Sequence, residues 1–329
     1  MRINKIITTV FGNKFNGMLI ALMESAHLNW PDAQIVVYYQ DIDEKFLTAF
    51  SKTYSQVSLI RTNFNFHTDK IQRISSKTLM WHYAVDNEDE GDYVILIDVD
   101  TLILKPVVSN IPEVFDILFT SKKDGFPINT GVLIVKISRF TKSFFNIWNQ
   151  ETRLILESSS LLKEANTSIE YGGADQMSFN RLIKFQRDIT TYNLIQEGNS
   201  ITIEAIPCSM FNETNSRKVT DSIHIIHYKA GWQRVLLEGK AFSKYRNWRD
   251  SEEMIILYIR YYNLALKKIQ LNLPLKFIKL INLRIPDYLG KSSRAGKIFS
   301  YWLLYLRTFL LDYLNLIQFL FNKLIQKLF

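Results

Sequence analysis

The sequence predicts an α/β fold, a mixed and mostly parallel central sheet flanked by helices, followed by a helical extension. Three observations carry that prediction. Over the first hundred residues, short apolar segments rich in Val and Ile alternate with segments of helical periodicity, the pattern of βαβ units. One apolar segment, 93–97 (YVILI), stops abruptly at two acids, Asp98 and Asp100, as a strand buried on both faces does when it delivers polar groups to its carboxyl end. From about residue 250 the character changes to long aromatic, basic, helical stretches.

In order, residues 4–10 (NKIITTV) read as a first strand, 11–16 as a polar loop and 17–30 as a helix. Residues 34–39 (QIVVYY) form a second strand, 43–52 a short helix and 57–60 a third strand. A helical pattern over 71–85 precedes the strand at 93–97. Beyond the acids, 114–120 (VFDILFT) and 131–136 (GVLIVK) read as strands, the latter reached through Pro127-Ile128-Asn129-Thr130-Gly131. Residues 140–156 are amphipathic and helical. Gly172-Gly173-Ala174-Asp175-Gln176 opens another helix, with Asp175 in the first turn where the helix dipole favours a carboxylate. Residues 201–206 and 222–227 (SIHIIH) are late strands, and His227 closes the second as Asp98 closes the earlier one.

The chain has 329 residues, 47% of them hydrophobic, enough for one large α/β domain with an appendage. The sequence is read as a domain over 1–250 and an extension over 251–329. The single cysteine, Cys208, excludes an internal disulfide and any cysteine-based zinc cluster, and fits a reducing compartment. In that setting the sequons at Asn166 and Asn212 carry little weight. The first ten residues, broken by Arg2 and Lys5, lack the apolar core of a signal peptide. The net charge of +8 is uneven: residues 256–329 hold twelve Lys/Arg against two acids, Asp287 and Asp312, which leaves the body near neutral.

Asp98 and Asp100 stand i, i+2, so in an extended chain their side chains share a face. Two acids there repel each other and are costly to desolvate, and a hard divalent cation such as Mn²⁺ or Mg²⁺ relieves both costs. Taken singly, such residues also read as structural: His227 as a strand-end histidine, Asn129 and Gly131 as a turn, Asp175 as a helix-start acid, Lys77 as a solvated charge. Their order along the chain distinguishes the set. Asp98-Val99-Asp100, Asn129-Thr130-Gly131, Gly173-Ala174-Asp175-Gln176 and His227 with Lys229 together resemble the motifs of GT-A glycosyltransferases. The retaining enzymes of glycosyltransferase family 8, glycogenin and the bacterial lipopolysaccharide glucosyl- and galactosyltransferases among them, are most similar, over about residues 4–234.

The resemblance implies a metal-dependent transfer of a hexose from a nucleotide-diphosphate sugar, a UDP-sugar in many members, to a glycan or lipid-linked acceptor with retention. Asp98, Asp100 and His227 would hold Mn²⁺ or Mg²⁺, with Val99 between the two acids among the donor-binding residues. Thr8, Thr9 and Val10 would flank the nucleoside, and Lys77 would contact donor sugar or phosphate. Asn129 and Gly131 would line the sugar pocket, Asp175 and Gln176 would hold sugar hydroxyls near the reacting carbon, and Lys229 would add a positive centre. Two departures stand out. The run His227-Tyr228-Lys229-Ala230-Gly231-Trp232 is more tightly spaced than the family's His, Gly and Lys-Pro-Trp arrangement, and Thr8-Thr9-Val10-Phe11 lacks the acid that often follows the first strand. Two other function classes compete. A nucleotidyltransferase making nucleotide sugars normally has a Gly-rich phosphate loop after its first strand, where residues 11–15 (FGNKF) hold one glycine. A catalytically inactive, membrane-associated nucleotide-sugar-binding protein would not need the intact acids and His227.

The extension reads as amphipathic. In 297–329, Arg307, Asp312, Asn315, Gln318 and Asn322 fall mainly on one side and Trp302, Leu306, Phe309, Tyr313, Ile317 and Leu320 on the other. A basic, aromatic helix of this kind predicts an interfacial position on an anionic membrane surface, hence a peripheral protein on the cytoplasmic face. Docking against the domain or a second chain is the competing reading. No nucleic-acid motif accompanies the charge.

Overall fold

Four strands that the sequence marks by hydrophobic runs form the heart of the molecule, a computed structural model that describes residues 3–64, 77–107, 111–122, 126–196, 199–214, 218–228 and 252–269. The elements in order are β1 (Ile3–Phe11), α1 (Asn16–Asn29), β2 (Gln34–Gln40), α2 (Glu44–Thr53), β3 (Val57–Arg61), α3 (Lys77–Asp86), β4 (Tyr93–Asp98), β5 (Thr101–Ile103), β6 (Ile117–Ser121), β7 (Ile128–Lys136), α4 (Arg139–Glu157), α5 (Ser159–Thr167), α6 (Ala174–Ile183), β8 (Thr191–Gln196), β9 (Asn199–Pro207), α7 (Cys208–Phe211), β10 (Ile225–His227) and α8 (Glu252–Ile269). Two compact units are distinguished, Met1–Thr214 with Thr220–His227, and Asn215–Val219 with Tyr228–Phe329.

The first unit is built on an eight-stranded sheet of order β3-β2-β1-β4-β7-β6-β9-β8. β3, β2, β1 and β4 run parallel, β7 is antiparallel to both its neighbours, β6 and β9 are parallel, and β8 closes the sheet antiparallel. The chain winds outward from β1 to β3 and then returns to place β4 on β1's other side. The crevice beyond the carboxyl ends of β1 and β4 is therefore a topological switch point, where open α/β sheets bind ligands.

Successive strand residues face opposite sides, and both sides are buried. Ile7, Val36, Tyr38, Val94, Leu96, Phe119 and Leu133 join Trp81 of α3, Phe144, Phe145 and Trp148 of α4 and Phe179 of α6 in one core. The alternate positions Ile6, Ile35, Val37, Ile95 and Ile97 are also buried, which is why these strands read as continuous apolar runs. The aromatic rings meet edge-on, Trp148 and Phe179 with centroids 5.1 Å apart at 75°. Asp43 caps α2 by accepting from Lys45 N and Phe46 N, and Ser138 with Thr141 closes a capping box on α4.

Several boundaries depart from the sequence expectations. β1 continues through Phe11 into a 3₁₀ turn at Asn13–Phe15 rather than ending at Val10. β6 starts at Ile117, not 114, and β10 holds only Ile225–His227 of the strand expected over 222–227. β7 starts at Ile128, so Asn129 and Thr130 lie within the strand rather than in a loop before it. β5, β8, α5 and α7 are elements beyond those the sequence predicts. The pairing of β6 with β7 jumps from Phe119↔Leu133 to Thr120↔Asn129. Thr130, Gly131 and Val132 are thus left out of that ladder as a bulge, a device that re-aims side chains.

In the second unit, Tyr228 Oη donates to the Met254 carbonyl of α8 at 2.7 Å and its ring packs against Tyr258. Among the described residues no helix is long and apolar enough to cross a membrane. The amphipathic stretch at 297–329 lies outside the described residues.

Candidate active site

Asp98 is the last residue of β4, paired in register with Thr9 of β1. The chain then turns: Val99 and Asp100 form the turn and β5 starts at Thr101, whose Oγ1 donates to the Asp98 carbonyl at 2.8 Å. The two acids therefore converge through a turn, not through the continued extended geometry expected from their spacing. β5 is only three residues long, so neighbours hold it. On one side Ser25 Oγ of α1 accepts from Ile103 N at 3.0 Å and Asn29 Nδ2 donates to the Ile103 carbonyl at 2.9 Å. On the other, β10 pairs antiparallel with β5 and sets His227 opposite Thr101, one residue past Asp100.

That register brings three ligand atoms together. His227 Nε2 lies 3.1 Å from Asp100 Oδ1 and 3.6 Å from Asp98 Oδ2, and all three groups offer an atom within 4.8 Å of the others. Ligand atoms bound at about 2.1 Å and at right angles would be about 3 Å apart, so two carboxylates and an imidazole at these separations fit a cation such as Mn²⁺ or Mg²⁺. Asp100 and His227 are almost wholly buried, whereas the Asp98 side chain keeps 20% of its surface exposed.

Lys77, the first described residue of α3, enters the same cluster. Its Nζ donates to both oxygens of Asp98 at 3.2 Å, lies 3.2 Å from Asp175 Oδ2, and sits 4.6 Å from the centroid of the Trp81 ring. Burial by itself would lower the lysine pKa, but the Asp98 and Asp175 carboxylates override it and raise it. Asp98 is pushed above the usual carboxylate value chiefly by burial, which Lys77 and His227 oppose and Asp100 and Asp175 reinforce. Lys77 is thus a cross-link between two acids of the site, not the solvated charge that a lone helical lysine usually is. We expect Lys77→Met to destabilise the fold by roughly 3 kcal/mol, because it leaves two buried carboxylates without their cation. Thermal unfolding checks this, and a melting temperature within about 2 °C of wild type, no more than the shift that about 1 kcal/mol produces in a domain of 150–250 residues, would contradict it.

Asp175 sits in the first turn of α6, buried, with Thr130 Oγ1 donating to its Oδ2 at 2.8 Å. Trp148 Nε1 donates to its carbonyl at 2.9 Å, which ties the start of α6 to α4. The bulge in β7 supplies this contact, since it frees Thr130 from the ladder. Gly131 lies against the ring of His227: a Cβ there would be 2.4 Å from Cε1, 2.6 Å from Nδ1 and 3.0 Å from Asp98 Oδ2. Asn129 holds the bulge, its Oδ1 accepting from Gly131 N at 3.1 Å. Gln176 Oε1 and Thr8 Oγ1 are buried polar atoms without a partner among the described residues, and Thr9 is buried beside Asp98. Val10 and Val99 are buried apolar side chains, so their backbones are what they can offer a ligand. Lys229 lies outside the described residues.

Three residues of the cluster carried no sequence signal as site residues. Thr130 was visible only as the middle of Asn129-Thr130-Gly131. Thr120 and Asn212 belong to unrelated stretches, yet they form a buried chain to His227: its Nδ1 is 2.8 Å from Asn212 Oδ1, and Asn212 Nδ2 donates to Thr120 Oγ1 at 2.6 Å.

No family model matches the sequence, and no curated protein matches it. Among solved structures, this chain is similar to the glycosyltransferase GlyE of Streptococcus pneumoniae TIGR4, with 14% identity over 80% of this chain and 63% of that one at a TM-score of 0.50. The apo form of GlyE overlaps at 0.51, with 14% identity over 81% of this chain and 62% of that one. The chain thus spans less than two thirds of the length of the GlyE structures. At this identity the likeness bears on architecture alone: the α/β fold of this chain is similar to that of GlyE.

Proposed function

We propose that this chain is a metal-dependent glycosyltransferase that moves a hexose from a nucleoside-diphosphate sugar, a UDP-sugar by the resemblance of its motifs, to a glycan or lipid-linked acceptor with retention. The observation that carries the reading is the meeting of Asp98, Asp100 and His227 at the β1/β4 switch point. They come from two segments more than a hundred residues apart in sequence, and Lys77 links Asp98 of the set to Asp175.

Asp98, Asp100 and His227 hold the cation, Mn²⁺ better than Mg²⁺ because one donor is an imidazole. When bound, the cation neutralises charge on the departing diphosphate as a Lewis acid. Thr8, Thr9 and Val10 at the end of β1 border the nucleoside. Lys77 places an ammonium within reach of the donor, where it offsets phosphate charge or holds a sugar hydroxyl. Asp175, steadied by Thr130 and Lys77, faces the sugar with a carboxylate that stabilises positive character at the anomeric carbon. Gln176 offers its unpartnered Oε1 to a sugar hydroxyl, and Asn129 and Gly131 border the sugar. In the transfer the bond from the anomeric carbon to the phosphate oxygen breaks, the bond to the acceptor oxygen forms on the same face, and the acceptor proton passes to the departing phosphate.

In this reading residues 1–250 carry the chemistry, with Lys229 as a further positive centre, and 251–329 dock the protein on an anionic membrane surface at the cytoplasmic face. The basic balance of the extension supports the docking. Sedimentation of the full chain with anionic but not neutral vesicles tests that part.

A panel of UDP-, GDP-, ADP- and dTDP-hexoses, each with Mn²⁺ or a chelator, tests the transfer. The expected result is metal-dependent release of a nucleoside diphosphate from at least one donor. Failure of every donor to be hydrolysed or to raise the melting temperature would overturn the reading.

A further inference from the structure

Asn212 is a fully buried side chain to which the transferase reading gives no role, at the C-terminal cap of α7. Its surroundings fix which way its amide points. Thr120 Oγ1 donates to the Asn129 carbonyl at 2.7 Å. A hydroxyl has one proton to give, so toward Asn212 the same oxygen accepts, and Asn212 Nδ2 donates to it at 2.6 Å. The amide oxygen is then turned to His227, 2.8 Å from Nδ1. A carboxamide oxygen only accepts, so His227 Nδ1 must carry the proton, and Nε2 is the ring atom facing Asp98 and Asp100. The backbone holds the partners in place: His227 N donates to the Glu213 carbonyl at 2.8 Å, and Glu213 N to the Ile225 carbonyl at 3.0 Å.

We propose that Asn212 is the positioning residue of the metal centre. By a relay that starts at the Asn129 carbonyl and passes through Thr120, it fixes the proton on Nδ1 of His227 and presents Nε2 to a divalent cation. The proposal rests on the reading of Asp98, Asp100 and His227 as metal ligands. It also gives the sequon at Asn212 a structural meaning, since a fully buried side chain in a relay is not a glycan acceptor in the folded chain.

The test uses the full chain labelled with ¹⁵N at histidine, and three proteins: wild type, Asn212→Leu and Asn212→Asp. Long-range ¹H–¹⁵N spectra of the metal-free protein, at a pH where His227 holds a single ring proton, report which nitrogen carries it. Mn²⁺ titration calorimetry reports affinity. Wild type is expected to show a protonated Nδ1. Asn212→Leu, nearly isosteric but without an acceptor, should lose that preference and bind Mn²⁺ some 10- to 100-fold more weakly, the usual cost of losing the partner of a ligating histidine. Asn212→Asp, which restores an acceptor oxygen, should keep the protonated Nδ1 and bind within about threefold of wild type. A proton on Nε2 in the wild type overturns the proposal, as does a folded Asn212→Leu with wild-type spectrum and affinity. If Asn212→Leu does not fold, the wild-type and Asn212→Asp spectra still decide. If the wild type binds no Mn²⁺, the metal reading fails, while the nitrogen signals still judge the relay.

Discussion

Asp100→Asn is expected to abolish metal-dependent turnover and to lower Mn²⁺ affinity by more than about 100-fold, because a direct ligand matters more than the outer partners that cost 10- to 100-fold. Asn keeps the shape of Asp but offers a neutral oxygen. Asp100 is almost wholly buried, 3.1 Å from His227 Nε2, and its charge adds to the forces that raise the Asp98 pKa. Removing that charge relieves a repulsion within the cluster, so the melting temperature of the metal-free protein should hold or rise. The pairing of a lost activity with an intact fold makes the variant informative. Calorimetry and thermal unfolding measure the two sides. Full activity with a normal fold would mean that the acids serve another purpose.

Gly131→Ala should strike the same centre from its opposite wall. The added Cβ has no room: it would lie 2.4 Å from Cε1 of His227 and 3.0 Å from Asp98 Oδ2. Neither neighbour can yield easily. His227 is held by β5 and by Asn212, and Gly131 by the bulge that Asn129 clamps. Overpacking at such a site costs about 1–3 kcal/mol. To make room, the ring must leave Asp100 or Asn212, and Mn²⁺ binding should fall with it. Gly172→Ala is the matched control. There the Cβ would meet the amide end of Gln176 at 2.8 Å, the far end of a flexible side chain. That substitution should cost less than about 1 kcal/mol and leave Mn²⁺ binding near wild type. Equal loss of metal in both variants would show that the clash with His227 is not the cause.

The sequence made one half of this site legible and hid the other. Asp98 and His227 stand at the ends of hydrophobic runs, where burial leaves a polar residue few structural roles. Lys77 was visible as a residue, but its bridge between Asp98 and Asp175 is a tertiary fact without periodicity. β5 is too short to show a pattern of its own, and Thr101–Ile103 reads as more of the run that ends in the acids. The turn at Val99–Asp100 was therefore missed, although the acids it joins were not. The bulge at Thr130–Val132 left no trace either, since β-branched residues around a glycine suit both a strand and its interruption. β8 did leave a signal: Tyr192 is buried and Leu194 partly so, while Thr191, Asn193 and Ile195 are exposed, a period of two. Asn212 reads locally as one polar residue after CSMF, and only the pairing of its segment with β10 connects it to His227.

The most direct measurement is calorimetric titration of the 329-residue wild-type chain with Mn²⁺, followed by UDP, beside a chain carrying both Asp98→Asn and Asp100→Asn. One Mn²⁺ per wild-type chain is expected, with UDP binding that requires it and neither event in the double variant. Equal Mn²⁺ binding by the two proteins, or none by the wild type, would contradict the claim that Asp98, Asp100 and His227 form a metal centre.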